Sequence, residues 1–495
     1  VKMMGTDYKL FINGQWRESS TGERFPAINP YNQAVWASIP QASDSDVEDA
    51  VRAARTAFET RWRQTSGLER SKLINRLADL LEADGDRMSV LESTDNGKVV
   101  RETRPQMSFA ARQYRFFAGF ADKLWGNVIP LDQPHILDYA NRVPLGVAVL
   151  VTPWNSPMHL LSNKLAPALA AGNCVVIKPS EHASATTLEF CRFVEQAGFP
   201  PGVVNVVTGD GRVGKALAGA QGIDRLSFTG SPAVAREVAA AAGRNLVPVT
   251  LELGGKSPNI IFDDADIDLA VVGALAGIFA ATGQTCIAGS RLLVQRGVYQ
   301  EIIDRLVVRA RKIVMGDPTN PATEMGTAAN EPQFKRILGM IAAARDAGAR
   351  LVTGGSAASG PGLAKGFFIE PTIFADVDNC MTIAQEEIFG PVLSVIPFDT
   401  EEEAIRIAND TRFGLASGVW TTSLNRALRV SQAIQAGTVW VNTYRAVACQ
   451  VPFGGMKESG FGRERGAAAL DEFMTYKNVM IDFSGTVRDP FAIRT

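Results

Sequence analysis

Residues 147–180 read VAVLVTPWNSPMHLLSNKLAPALAAGNCVVIKPS. The run 147–151 is continuously apolar, without polar alternation, as in a strand covered on both faces. A helical stretch follows to Ala171 and is closed by Gly172-Asn173; residues 174–177 form a second apolar run. A strand, a helix and a strand of these lengths indicate a parallel pair with a crossover helix. The alternation continues with a helix over 184–197, a strand over 203–207, a helix over 212–220, a strand over 225–228 and a helix over 233–242. A second series starts at Asn259-Ile260-Ile261-Phe262, runs through a helix over 267–281 and alternates to about Val441. Upstream, residues 10–12 and 34–39 read as short strands, and 44–58 and 69–84 as helices. The expected fold class is therefore α/β, with two parallel-sheet units divided near Gly254-Gly255.

The bulk numbers agree with such a chain. Its 495 residues are long for one domain, so two or three are expected. Apolar residues make up 46% and charged residues 21%, as in an ordinary soluble enzyme. A net charge of −2 points away from nucleic acid and anionic membranes as partners. The longest apolar stretch, 271–281, is too short to span a bilayer. Val1-Lys2 ahead of Met3-Met4 reads as a cloning remnant rather than a targeting segment. Five scattered cysteines without a Cys-x-x-Cys pair argue against a disulfide framework or a zinc site. A reducing compartment is expected, with the cytoplasm as default, and no metal is expected.

Three residues suit chemistry at a carbonyl carbon. Cys286 follows the polar, glycine-broken approach Gly283-Gln284-Thr285. Glu252 lies in Leu251-Glu252-Leu253-Gly254-Gly255-Lys256, and Asn155 in Thr152-Pro153-Trp154-Asn155. They supply a sulfur nucleophile, a general base for water and a donor to an oxyanion. Each also has a plain structural reading. A free cysteine is usually a core residue, which fits Cys174 and Cys191. Asn155 is equally a turn asparagine, and Glu252 a loop carboxylate. Gly209-Asp210-Gly211-Arg212-Val213-Gly214 fits Gly-x-Gly-x-x-Gly, a weak signal by itself, although it follows a strand and opens a helix.

From about Tyr8 to about Ile481 the chain resembles the aldehyde dehydrogenase superfamily of NAD(P)-dependent enzymes. The matching words, in family order, are Thr152-Pro153-Trp154-Asn155, Lys178-Pro179-Ser180-Glu181, Phe228-Thr229-Gly230-Ser231, Leu251 through Lys256 and Gly283 through Cys286. They continue with Glu386-Glu387-Ile388-Phe389-Gly390-Pro391, Pro452-Phe453-Gly454-Gly455, Lys457, Ser459-Gly460 and Gly462-Arg463-Glu464. The resemblance implies a Rossmann-like NAD-binding domain over 1–121 and 145–254 and an α/β catalytic domain over 255–458. It adds a small β oligomerisation flap from 122–144 and 474–495, used in a homodimer or homotetramer. Locally, 136–143 and 479–483 look like strands, but only the resemblance pairs them.

It also assigns roles. Cys286 attacks the aldehyde, giving a thiohemiacetal and then a thioester. Asn155 and the Cys286 backbone N–H hold the oxyanion. Glu252 activates the hydrolytic water, and Lys164 joins the catalytic set. Cofactor contacts are implied for Thr152, Trp154, Lys178, Ser180, Glu181, Gly211, Phe228, Thr229, Gly230, Ser231, Leu253, Gly254, Glu387 and Phe389. Glu181 near the adenosine ribose favours NAD over NADP, since a carboxylate repels a 2′-phosphate. Ala235 stands where members often have glycine. Thr475 stands where many have a glutamate that relays protons near the base. Members that transfer the acyl group to coenzyme A generally lack the Glu252 carboxylate, so a coenzyme A-acylating semialdehyde dehydrogenase is the nearest alternative. A non-catalytic structural or binding homologue is the alternative of another class, and Cys286, Asn155 and Glu252 together disfavour it. The substrate pocket is expected to include Phe109, Ser156, Leu160, Asn163, Thr285, Ile287, Val447 and Phe453, with His159 and Arg445 nearby. Few aromatics and several polar groups there suit a polar aldehyde or semialdehyde better than an alkanal.

Overall fold

Eight strands form the first sheet, in the order Gly460–Phe461, Val249–Glu252, Arg225–Thr229, Val147–Thr152, Cys174–Pro179, Val204–Val206, Leu10–Ile12 and Gln15–Arg17. The five from Val249–Glu252 to Val204–Val206 run parallel. The structure, a computed structural model, describes residues 5–486 and Phe491. The expectations for 1–4, including the reading of Val1-Lys2, and for 487–490 and 492–495 of the flap lie outside the described residues.

The strands Val147–Thr152 and Cys174–Pro179 are buried almost throughout because helices cover both faces, which is why they read as unbroken apolar runs. The chain moves from Val147–Thr152 outward through Cys174–Pro179 to Val204–Val206. It then returns to the other side of Val147–Thr152 at Arg225–Thr229. That reversal opens a crevice beyond the carboxyl ends of Val147–Thr152 and Arg225–Thr229, the place where open α/β sheets bind ligands.

The second sheet has seven strands, ordered Arg350–Thr353, Thr372–Ala375, Val392–Phe398, Arg291–Gln295, Pro258–Ile261, Ala416–Trp420 and Thr438–Val441. All its pairings are parallel except that of Arg350–Thr353 with Thr372–Ala375. The helix Ile267–Phe279 then delivers the chain to the Cys286 loop.

A segment that starts at the end of the expected catalytic domain links the first sheet to a small two-stranded one. Gly460–Phe461 adds an antiparallel edge to Val249–Glu252, with Gly460 opposite Glu252. Met456–Lys457 pairs with Phe413–Gly414. Between them Ser459 is fully buried, and its Oγ accepts from the Gly414 N–H at 3.0 Å and donates to the Gly254 carbonyl at 2.7 Å.

The flap strands pair as the resemblance implied. Met474–Asp482 lies antiparallel to Ile136–Pro144 along its whole length, and Asn127–Ile129 pairs with the other edge of Ile136–Pro144. The later strand starts five residues earlier than its apolar run at 479–483 indicated. Two helices went unread, Gly85–Asn96 and Val100–Ala118. The first buries Ser89, Glu92, Asp95 and Asn96, so it has no clean apolar stripe, and the second carries Pro105 inside it.

Candidate active site

A cavity of about 520 Å³ occupies the crevice. Trp154, Asn155, Thr229, Gly230, Ser231, Glu252, Leu253, Gly254, Cys286, Glu387 and Phe389 all line it, with Leu160. Residues from five distant stretches of sequence therefore meet in one place.

The nucleophile loop is strained. Ala281, Thr282 and Gly283 have φ of 53°, 55° and 68°, a left-handed run that β-branched threonine rarely adopts. Gly283 is required there, since a Cβ would come within 2.0 Å of the Gly390 carbonyl oxygen. The Glu102 carboxylate accepts from the Ala281 N–H at 2.7 Å. Gln284 is buried, donating to the Thr327 carbonyl at 3.0 Å and accepting from the Ala329 N–H at 2.9 Å. Cys286 itself is half-buried and packs against the apolar cluster of Ile287, Tyr444 and Phe453. Burial, then the carboxyl groups of Glu387 and Glu252, push its thiol up to about 12.

The Asn155 turn is held by the unread helix Gly85–Asn96. Asn96 donates to the Trp154 carbonyl at 3.0 Å, and Glu92 accepts from the Met158 N–H at 3.2 Å. Asn155 Nδ2 donates to the Gln284 carbonyl at 2.9 Å. An amide nitrogen carries two hydrogens, so one remains for an oxyanion.

Glu252 is buried, and neither carboxyl oxygen has a hydrogen-bond partner. Burial, then the Glu464 carboxylate, hold its pKa well above the usual carboxylate range. Lys164 does not face the cavity. It is fully buried, with Nζ donating to Glu464 at 2.5 Å and to Ser227 Oγ at 2.9 Å. Asn163, expected in the pocket wall, is also fully buried, donating to Glu464 at 3.3 Å and accepting from Arg465 at 3.2 Å.

Thr475 requires a correction. It is exposed in the flap strand opposite Val143, away from the base. The carboxylate beside Glu252 is Glu464, buried against Lys164 and Asn163. Counting back from Lys477 located a position in the flap, whereas the polypeptide reaches the base eleven residues earlier, in the Gly462-Arg463-Glu464 turn. Ala235 is buried in the apolar core of the first sheet, so its methyl group packs within the protein.

The residues expected to hold a dinucleotide are arranged around the cavity and the adjoining strand ends. Ser231 caps the helix Pro232–Arg244, whose first turn lines the cavity, a ready anion site. Gly230 sits over the Phe228 ring, where a Cβ would come within 2.5 Å of Phe228 Cζ. The hydroxyls of Thr152 and Thr229 are buried without a partner. Lys178 is buried, and its Nζ lies 3.8 Å from Glu181, with Ser180 beside that carboxylate. Gly211 opens the neighbouring helix, and Gly214 on it approaches the Lys178 chain. Glu387 accepts from the Gly255 N–H at 3.0 Å, and burial pushes its carboxyl up to about 7. Phe389, at φ 57°, meets Trp154 edge-on at 5.3 Å. Sequence reasoning missed the groups that hold this loop. Arg336 donates to the Glu387 and Ile388 carbonyls, and Gln333 to those of Ile388 and Phe389. Arg236, Arg336 and Arg412 also line the cavity, Arg412 paired with Glu386 and Arg236 with Glu458.

On the substrate side, Ser156 is buried, accepting from Lys98 Nζ at 2.5 Å and donating to the Asn155 carbonyl at 2.8 Å. Ile287 and Phe453 are buried, Thr285 and Phe109 are half-buried, and Val447 is exposed.

Comparison with known proteins agrees with this geometry. The family model described as the aldehyde dehydrogenase family matches residues 16–479. An aldehyde dehydrogenase of Emericella nidulans is 46% identical over 472 residues, covering 95% of this chain and 94% of its own. The (Z)-2-((N-methylformamido)methylene)-5-hydroxybutyrolactone dehydrogenase of Acinetobacter baylyi is 43% identical over 492 residues, covering 98% and 99%. The crystal structure of betaine aldehyde dehydrogenase from Staphylococcus aureus in complex with NAD+ matches with a TM-score of 0.97 at 38% identity, covering 98% and 97%. With a thiol, a buried carboxyl and an amide donor gathered at one cavity, and likeness along nearly its whole length, this chain belongs to the aldehyde dehydrogenase family.

Proposed function

We propose that this protein oxidises an aldehyde to the free carboxylic acid with NAD. The observation that carries this reading is Glu252, a buried carboxyl without a hydrogen-bond partner at the same cavity as Cys286. A carboxylate kept poorly solvated is a stronger base, suited to drawing a proton from water.

Cys286 rests as the thiol, because burial and the neighbouring carboxyls disfavour the thiolate. Its proton is lost to water as Sγ bonds to the carbonyl carbon. The free N–H of Asn155 and the Cys286 backbone N–H hold the resulting alkoxide. When bound, NAD supplies the hydride acceptor. As the oxygen of a water attacks the thioester carbon and Sγ leaves as a thiolate, later reprotonated by solvent, Glu252 takes that water's proton. Glu464, beside Glu252 and clamped by Lys164, is placed to pass that proton onward, so Lys164 acts as a positioning residue. Thr152, Trp154, Leu253 and Gly254 shape the nicotinamide end, with Glu387 and Phe389. Phe228, Thr229, Gly230 and Ser231 form the pyrophosphate seat. Lys178, Ser180, Glu181 and Gly211 border the adenosine end, and Glu181 selects NAD over NADP.

The division into an NAD-binding domain (1–121 and 145–254), a catalytic domain (255–458) and a flap (122–144 and 474–495) belongs to the same reading. Exposed Trp125, Val128, Leu137, Tyr476, Met480 and Phe483 on or beside the flap strands suit burial in a homodimer or homotetramer. Among the described residues no helix is long and apolar enough to cross a membrane. Five free cysteines suit a reducing compartment, with the cytoplasm the favoured one.

Incubation with an aldehyde and NAD tests the proposal. NADH should form without coenzyme A, and Cys286→Ala should abolish turnover while still binding NAD. Turnover that requires coenzyme A would move the chain to the acylating class, and steady turnover by the Cys286→Ala variant would remove the thiol mechanism.

A further inference from the structure

The substrate side holds a buried cation that the mechanism above does not use. Arg465 follows Glu464 and is only 5% exposed. Its guanidinium carbon lies 4.7 Å from the Phe453 ring centre and 5.4 Å from that of Phe109. The cation thus lies over both aromatic rings. Nε donates to Asn163 Oδ1 at 3.2 Å, and Nη2 meets His159 Nε2 at 2.9 Å. These neighbours fix the fork in place but are neutral. The adjacent Glu464 carboxylate is taken by Lys164 at 2.5 Å and Asn163 at 3.3 Å. Among the described residues Arg465 makes no ion pair, an unusual state for a buried charge.

Three further observations point the same way. Burial, then the charge of Arg465, hold the His159 imidazole well below its ordinary range, so the ring is neutral. Its Nε2 then accepts from Arg465, and its Nδ1 carries the proton. That Nδ1 is buried without a hydrogen-bond partner. Lys98, also buried, donates through Nζ to Ser156 and Gln106 at 2.5 and 3.3 Å, with the Glu102 and Glu92 carboxyls acting on it electrostatically. Lys98 and Arg445 both act electrostatically on His159, so positive charge converges beside this ring. Phe453, which stacks on Arg465, belongs to the cluster against which Cys286 packs. Arg465 and Cys286 also act on each other electrostatically, so the cation lies near the nucleophile.

We propose that Arg465, positioned by Asn163 and His159 over Phe109 and Phe453, binds a carboxylate at the far end of the aldehyde, making the substrate an ω-carboxy aldehyde. This rests on the reading of Cys286 as the nucleophile. A planar guanidinium held in place suits a carboxylate, whose two oxygens match its fork. The aromatic walls suit the methylene chain between the two ends.

The test compares 4-oxobutanoate and 5-oxopentanoate with their methyl esters, by kcat/KM with NAD, in the unmodified protein and in Arg465→Gln and Arg465→Lys. The unmodified protein should prefer the acids, mainly through KM. Arg465→Gln should lower the acid-to-ester ratio about ten- to a hundredfold, the worth of a charged hydrogen bond, with Arg465→Lys retaining more of it. A second readout is the alkylation rate of the Cys286 peptide by iodoacetate against iodoacetamide, followed by mass spectrometry. That ratio should also fall in Arg465→Gln. An ester preference in the unmodified protein, or ratios unmoved by Arg465→Gln, overturns the inference while leaving the dehydrogenase reading intact. Absence of NADH from every one of these aldehydes overturns both.

Discussion

Asn155 Nδ2 donates to the Gln284 carbonyl at 2.9 Å, so the amide that would hold an oxyanion is anchored to the loop that carries the nucleophile. Donor and sulfur move together, and the donor needs no reorganisation when charge develops. Asn155→Ala should lower kcat by about a hundred- to a thousandfold. Steady-state kinetics check this, and a near-unchanged kcat would leave Asn155 as a turn residue that merely braces Gln284.

Glu252→Gln should keep thioester formation and slow its hydrolysis. Rapid mixing with aldehyde and NAD should show one fast equivalent of NADH followed by a slow phase. Loss of the fast phase would mean that Glu252 serves chiefly to deprotonate Cys286.

The pH profile should report the Glu252–Glu464 pair. The hydrolytic step needs Glu252 ionised, so activity rises as pH climbs through its raised pKa. The negative charge of Glu464 opposes that ionisation. Glu464→Gln removes the opposition and should shift the acid limb of kcat to lower pH. A limb that stays in place or moves upward would show that the two carboxyls are not coupled.

Much of this site was legible before any coordinates, and the missing parts have physical causes. The parallel strands read well because burial on both faces leaves short apolar runs rich in valine and isoleucine, bounded by glycine, proline and asparagine. Cys286, Glu252 and Asn155 lie in words whose neighbours are themselves constrained, such as Gly283 pressed against Gly390. The helix Gly85–Asn96 escaped notice because it buries polar side chains, and those same side chains hold the Asn155 turn. Glu464 was quoted as part of a motif, yet its partnership with Lys164 joins residues 300 positions apart, which spacing does not encode. Thr475 misled because a position counted along the chain carries no information about which strand then turns away from the base.

Cofactor choice should follow Glu181. Lys178 lies 3.8 Å from this carboxylate, and removing the negative charge frees the lysine to meet a 2′-phosphate. Glu181→Gln should narrow the preference for NAD over NADP in kcat/KM. Equal values for the two cofactors in the unmodified protein would contradict the assignment.

Ser459 touches the backbone on both sides of the division between the sheets, through Gly414 and Gly254. Mechanically it ties the sheet that carries Glu252 to the short pair Phe413–Gly414 and Met456–Lys457, which leads into Ala416–Trp420 of the other sheet. Swinging the halves apart would require peeling Gly460 from Glu252 and emptying two buried hydrogen bonds together. The spacing of base and thiol is thus braced by paired main chain and the Ser459 hydroxyl, together with the Asn155–Gln284 bond. Such a joint resists gradual loosening, so heat or denaturant should dismantle catalysis and both sheets in one step.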